Sequence, residues 1–275
     1  MPARRRVDRR VFLSQAGRMG LGLVLSTSAV ACASDAADEV GQATSSSAPS
    51  TPPVGASSPA ASPQADASEA APSEQATDAA FDWRRIDLGF VSAYLLIENT
   101  QVVVVDTGVE GSEADIEQAL TDLGMGWYAV EHVIFTHRHP DHIGSAAAIL
   151  DATDAEAHAG EGDHASIVGP RPVSPVTDGQ DIMGLQIITT PGHTPGHISV
   201  LDPVGRVLVA GDALVGRGDG GGVAGPDAAY TQDMATAHES VRKLAGFAFD
   251  VLLFGHGEPV EQDASRRVRE LAAQL

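Results

Sequence analysis

Residues 33–80 contain no Phe, Tyr, Trp, Leu, Ile or Met, and this absence decides where a fold can form. Ser, Ala, Pro, Thr, Gln and acidic side chains fill the stretch, as in SSSAPSTPPVGASSPAASP. They cannot bury enough apolar area to offset the entropy of ordering the backbone. Residues 32–80 therefore read as a disordered linker, and a flexible coil of that length spans roughly 40 Å on average. The packed core must come from residues 81–275. The single cysteine, Cys32, lies ahead of them, which excludes an intrachain disulfide and a thiolate metal site in the folded part. The formal net charge is −20, and of the 17 basic residues only Lys243 is a lysine. Such a surface repels phosphate backbones, so nucleic acid is not an expected partner.

Residues 1–31 read as an export signal. Arg4, Arg5, Arg6, Arg9 and Arg10 form a basic start, and a moderately apolar run ending in small residues follows from Met19 to Ala31. That run is shorter than the roughly 20 apolar residues a membrane span needs. DRRVFLSQAG resembles a twin-arginine signal, with Arg9, Arg10, Phe12 and Leu13 in the matching places but no lysine after Leu13. SAVAC resembles a lipoprotein cleavage box, with Ala29 where Leu is usual; Cys32 would become the lipid-bearing first mature residue. These resemblances imply an extracytoplasmic protein, tethered to the membrane through a lipid on Cys32; the alternative is an ordinary cleaved signal with an incidental cysteine, and a secreted or periplasmic protein.

From Phe81 onward, strand-like and helix-like segments alternate. FVSAYLLIE and QVVVVDTG are apolar runs joined at Asn99–Thr100, a hairpin pattern. SEADIEQALTDLG predicts an amphipathic helix, with Ser112 and Asp115 in capping-box positions and Gly124 at its end. HVIFT, LQIITT, ISVLD, RVLVAG and DVLLF predict strands; HIGSAAAILDAT, MATAHESVRKLAG and ASRRVRELAAQL predict helices. The mixture predicts an α/β sandwich with helices covering sheet faces.

Ligand-type side chains gather where these strands end. FTHRHPDHIG places His137, His139, Asp141 and His142 after an apolar run. Residues two apart in extended backbone point the same way, so His137 and His139 can meet one cation. Pro140 disfavours helical backbone at His139 and suits the first turn of a following helix. Asp141 and His142 then sit at that helix start and aim elsewhere. TTPGHTPGH adds His193 and His197, VLVAGDAL adds Asp212, and VLLFGHGEP adds His256. A zinc site takes three or four nitrogen or oxygen ligands. His137, His139 and His193 make one trio; Asp141, His142 and His256 make another; Asp212 can bridge them. Imidazole and carboxylate without thiolate suit zinc best, two ions per chain, and iron and manganese accept the same ligands.

THRHPDH, PGHTPGH, GDAL and FGHGEP, in that order, resemble the motifs of metallo-β-lactamase-fold hydrolases, and VVVVDTG with Asp106 resembles their first motif. The resemblance spans residues 81–275. It implies an αββα sandwich with two metals at one edge between the sheets, the ligand roles above, and supporting roles behind the ligands for Asp106 and His197. It implies a hydrolase in which a metal-bound hydroxide attacks an ester, lactone, thioester or amide carbonyl of a small molecule, with Asp141 also orienting that hydroxide and passing a proton to the leaving group.

Departures sort the subgroups. True β-lactamases lack an aspartate at the position of Asp212. Glyoxalase II-like thioesterases and quorum-quenching lactonases are most similar, yet no room remains after His256 for the glutathione-binding domain of the former. Val215 stands where many of the latter have Tyr. The alternatives are a β-lactamase and a persulfide dioxygenase-like oxidoreductase holding one iron, which would not need the second trio. The glycine-rich loop after Asp212 brings Arg217 and Tyr230 as candidate substrate contacts, and the turn near Phe90 flanks the site by family analogy. His132, His158, His164 and His238 read as surface or supporting residues.

Overall fold

The computed structural model describes residues 79–218 and 222–275. The export signal, Arg9, Arg10, Cys32 and all but the end of the expected linker lie outside the described residues. Among those described, no helix is long and apolar enough to cross a membrane.

The first sheet contains β1 (Asp82–Asp87), β2 (Ser92–Glu98), β3 (Gln101–Val105), β4 (Val130–Phe135), β5 (Glu156–Gly160) and β6 (Ser174–Val176), adjacent in that order. The first three strands form an antiparallel meander, and β3 to β6 run parallel. The turn between β2 and β3 holds Asn99 at φ 54°, a left-handed conformation asparagine tolerates. Parallel strands need crossovers. Helix α1 (Glu113–Asp122) links β3 to β4, and α2 (Pro140–Ile143) with α3 (Ala146–Ala152) links β4 to β5.

The second sheet contains β7 (Asp181–Ile182), β8 (Leu185–Thr189), β9 (Ile198–Asp202) and β10 (Val207–Val209). After it come the hairpin β11 (Val215–Arg217) and β12 (Gly222–Ala224), then α4 (Met234–Leu244), β13 (Val251–Leu253) and α5 (Ala264–Ala272). Strand β13 pairs parallel to β10 at the sheet edge.

Strand alternation explains the layers. Along β2 and β3, Tyr94, Leu96, Val103 and Val105 pack against Leu185, Ile187, Val200 and Val209 of the second sheet. Their neighbours Leu95, Val102 and Val104 pack against Ile116, Leu120, Ile149 and Leu150 from α1 and α3. On the far side, Ile188, Leu201, Leu208 and Leu252 meet Val241 and Leu244 of α4 and Val268 of α5. Both faces of each sheet are covered, so the fold is an αββα sandwich and its inner strands read as continuous apolar runs.

Two local expectations change. Ser112 makes no side-chain cap on α1; Ser145 does so instead, accepting the Glu113 N–H at 3.2 Å and donating to the Glu113 carboxylate at 2.7 Å. The helix expected from His142 onward breaks into α2 and α3 because Gly144 lies against the loop after β3. A Cβ there would stand 2.4 Å from the Glu110 nitrogen.

Candidate metal centre

The centre forms where β3, β4, β8, β10 and β13 run out into loops. Beyond β4, Thr136 and His137 are fully buried and His139 is extended, φ −67° and ψ 146°, as the N-cap of α2. His137 Nε2 and His139 Nδ1 lie 3.1 Å apart, and His193 Nε2 lies 2.9 Å from His139 Nδ1. The three rings are mutually near perpendicular, at 83°, 86° and 77°. Ligand atoms of a tetrahedral zinc stand roughly 3.3 Å apart for bonds of about 2.0 Å, so these spacings fit a shared cation. A second group joins Asp141, His142 and His256, and a third joins His137, His142 and Asp212.

Asp212 stands between the sets. Its Oδ2 lies 3.9 Å from His137 Nε2, 3.4 Å from His193 Nε2 and 3.2 Å from His256 Nε2, while Oδ1 lies 3.5 Å from His142 Nε2. His256 Nε2 is also 3.4 Å from Asp141 Oδ2. Asp212 Oδ1 is buried without a hydrogen-bond partner. A buried carboxylate oxygen left this way is costly unless a cation completes it. At Gly255 a Cβ would stand 2.2 Å from that oxygen and 2.5 Å from His142 Cε1, so only glycine leaves the space open.

The outer nitrogens fix the rings. Asp106 ends β3 at φ 62° and accepts from the Thr136 N–H at 2.7 Å, the Thr136 hydroxyl at 2.8 Å and His142 Nδ1 at 2.8 Å. The Thr136 hydroxyl, having donated to Asp106, accepts from His137 Nδ1 at 3.0 Å. Thr231 donates to the Asp227 carbonyl and accepts from His193 Nδ1 at 3.2 Å. The Phe90 carbonyl accepts from His256 Nδ1 at 2.7 Å. Four imidazoles are thereby held with Nε2 facing inward, the arrangement that orients metal-binding histidines. His197 does not join them: its Nε2 accepts the Asp212 N–H at 3.0 Å and its Nδ1 donates to Thr190 Oγ1 at 2.8 Å. It therefore holds the backbone of Asp212.

Charge follows the same division. Burial pushes His137 and His197 well below the usual imidazole value, lowers His139, and takes His193 to about 4. The shift favours the neutral form, which His137, His139 and His193 need as ligands. Burial works against charge on His142 too, but Asp212 and Asp106 override it and raise it. Hydrogen bonds to Asp141 and Asp212 lift His256 to about 10. Burial alone would raise Asp212, yet His142 foremost holds it well below the carboxylate range; His256 likewise lowers Asp141. The shifts favour protonated His142 and His256 beside ionised Asp212 and Asp141.

A cavity of about 820 Å³ opens on the centre, and Asp141, Asp212, His139, His193, His256, Phe90 and Tyr230 line it. Arg217, expected beside Tyr230, is not in this wall: it pairs with Gly222 in the β11–β12 hairpin and is exposed. His132 and His158 form a separate cluster with Glu156, the ring nitrogens 3.0 Å apart. There His158 Nδ1 is buried without a partner, so that ring lacks the outer hydrogen bond that fixes the imidazoles of the main centre. His164 and His238 belong to no ligand group.

Asp163 was not singled out from sequence. It is buried and accepts from the Gly196 N–H, the Thr194 hydroxyl and the Arg138 N–H, joining the His193 loop to the His137 loop. Thr136 and Thr231 carry no motif of their own in the sequence. Only their position beside a ligand or a turn could have marked them.

The family model of the metallo-beta-lactamase superfamily matches residues 86–256. The chain belongs to this superfamily. It is a metallo-β-lactamase-fold, metal-dependent hydrolase, and several of its relatives carry matching names. "Probable metallo-hydrolase YflN" of Bacillus subtilis is 30% identical over 58% of this chain and 76% of its own. A hydroxyacylglutathione hydrolase of Dechloromonas aromatica is 29% identical, over 65% of this chain and 64% of its own. The crystal structure of TTHA1623 in a di-iron-bound form superposes with a TM-score of 0.53 at 25% identity, covering 65% of this chain and 93% of that one.

Proposed function

We propose that this superfamily member is a dinuclear zinc hydrolase that cleaves an ester, lactone, thioester or amide of a small molecule outside the cytoplasm. One observation carries the reading: four histidines are fixed through their outer nitrogens, with the inner ones converging around Asp212, whose own oxygen lacks a partner. His137, His139 and His193 would hold one cation; Asp141, His142 and His256 would hold the other; Asp212 would touch both. The donor set favours zinc, while the di-iron form of TTHA1623 keeps iron in view for the fold. Such cations, when bound, polarise a carbonyl and make water acidic enough to react near neutral pH.

The chain's own groups do the rest. Asp141, lying in the cavity wall with Oδ2 3.4 Å from His256 Nε2, takes a proton from the attacking water and passes it to the leaving group. Asp106, Thr136, Thr231 and the Phe90 carbonyl keep the imidazoles from turning. His197 keeps Asp212 in register between the two trios. The extracytoplasmic site rests on the sequence of residues 1–32, with the linker as a tether and Cys32 as the lipid-bearing residue.

The test is a purified full chain with its metal quantified, assayed on lactones, esters, thioesters and β-lactams. Two zinc ions and turnover of a non-β-lactam support the reading. One iron, with oxygen consumed on a persulfide, replaces it with the dioxygenase.

A further inference from the structure

Beyond the proposed ligands, the cavity wall has a marked charge pattern. Its apolar part comes from Phe90, Val109, Val215 and Tyr230, and its remaining charged groups are Glu110 and Asp227. No described Lys or Arg lines it. Arg85 pairs with Glu258 at 2.8 Å and Arg138 with Asp163 at 3.3 Å, while Arg217 stands exposed in the β11–β12 hairpin, outside the wall. Phe90 and Tyr230 are 63% and 69% exposed. Large aromatic surfaces left open beside a reactive centre suit an apolar ligand body.

Backbone packing and a turn place these two residues at the cavity. Gly144 lies against the Val109–Glu110 backbone, donating to the Gly108 carbonyl at 2.7 Å, and any Cβ at 144 would collide there. Asp227 opens a turn in which its side chain accepts the Ala229 N–H at 2.9 Å and its carbonyl accepts the Tyr230 N–H at 3.2 Å. The Thr231 hydroxyl of the same turn holds His193. The Asp227 carboxylate and the Glu110 backbone are thus fixed at the cavity, both residues line it, and the chain's overall charge of −20 adds repulsion at longer range.

We propose that this cavity selects an apolar carbonyl substrate whose body is neutral or cationic, and that Glu110 and Asp227 reject bodies bearing carboxylate, sulfonate or phosphate. The inference rests on the hydrolase reading above and adds the substrate's charge to it. It separates this chain's substrate from anionic acyl compounds such as peptide-carboxylate thioesters.

The test uses three 4-nitrophenyl pentanoates whose terminal carbon carries hydrogen, trimethylammonium or sulfonate; sulfonate is chosen as a weak metal ligand. With the zinc-loaded full chain, kcat/KM for the neutral and cationic esters should exceed that of the sulfonate by about tenfold or more, the scale of like-charge repulsion near a protein surface. The double variant Glu110→Gln, Asp227→Asn should shrink that preference at least about threefold, as should about 0.5 M NaCl. Equal rates on the sulfonate, or a preference unchanged in the double variant, would overturn the proposal. Should none of the esters turn over, the hydrolase reading fails on ester substrates while charge selection is still read from binding. Calorimetry on the zinc-free full chain with phenyl ketones bearing the same three termini supports it if the sulfonate binds weakest. Equal or tighter sulfonate binding, or no binding by any of the three, overturns it.

Discussion

Asp106 Oδ2 accepts from His142 Nδ1 at 2.8 Å, while Asp106 Oδ1 accepts the Thr136 N–H at 2.7 Å. One carboxylate at the end of β3 therefore sets a ring in α2 and the backbone next to His137. It does so from a left-handed conformation, φ 62°, that aspartate tolerates better than most residues.

Asp106→Asn keeps that backbone but weakens the hold on His142. Zinc affinity should fall roughly 10–100-fold, the usual scale for losing the partner of a ligating histidine. Chelator competition would measure it, with circular dichroism checking that the fold persists. Unchanged affinity would contradict the role given to Asp106.

Metal loading should be coupled to pH. In the metal-free chain His256 is lifted to about 10, above its unfolded value near 6.5, and His142 is also raised. A raised histidine contributes stability that is complete below the unfolded value and lost as pH rises through the folded one. The metal-free chain should therefore lose stability between about pH 7 and 10, where zinc affinity climbs because fewer protons must leave. Titration calorimetry in buffers of different ionisation enthalpy should show protons released on zinc addition at pH 7. Zinc binding without proton release would contradict the assigned charge states.

Much of this was legible because burial leaves a pattern. Strands β2, β3 and β4 are covered on both faces and read as apolar runs, and each ligand follows such a run. What stayed hidden lacked that signal. Strand β5, Glu156–Gly160, holds two alanines, a glycine, a glutamate and a histidine, none of them β-branched. Strand β1 is largely exposed and carries charges. Asp163 is one aspartate in a polar turn, and only the folded contact to Gly196 and Thr194 distinguishes it. Arg217 was favoured because a glycine-rich loop follows Asp212, but strand pairing there takes it out of the wall.

Gly255→Ala should disable the centre through one methyl group, since a Cβ would stand 2.2 Å from Asp212 Oδ1. Turnover should drop by about a hundredfold or more, of the order seen when a reacting group is displaced by about an ångström. Metal occupancy should fall with it. Near-normal kcat/KM in this variant would show that the space beside Asp212 is dispensable.

Replacing Arg9 and Arg10 together by Lys should leave the chain in the cytoplasm, read by cell fractionation. Cys32→Ala should release the exported chain from the membrane fraction. Normal export of the double variant would contradict the twin-arginine reading.

In the proposed centre Asp212 joins two cations. Elemental analysis of the full chain and of Asp212→Ala, each dialysed against zinc, tests it most directly. The account predicts two zinc ions in the parent, and in the variant fewer than two with hydrolysis lost. Two tightly held zinc ions and intact hydrolysis in Asp212→Ala would contradict it.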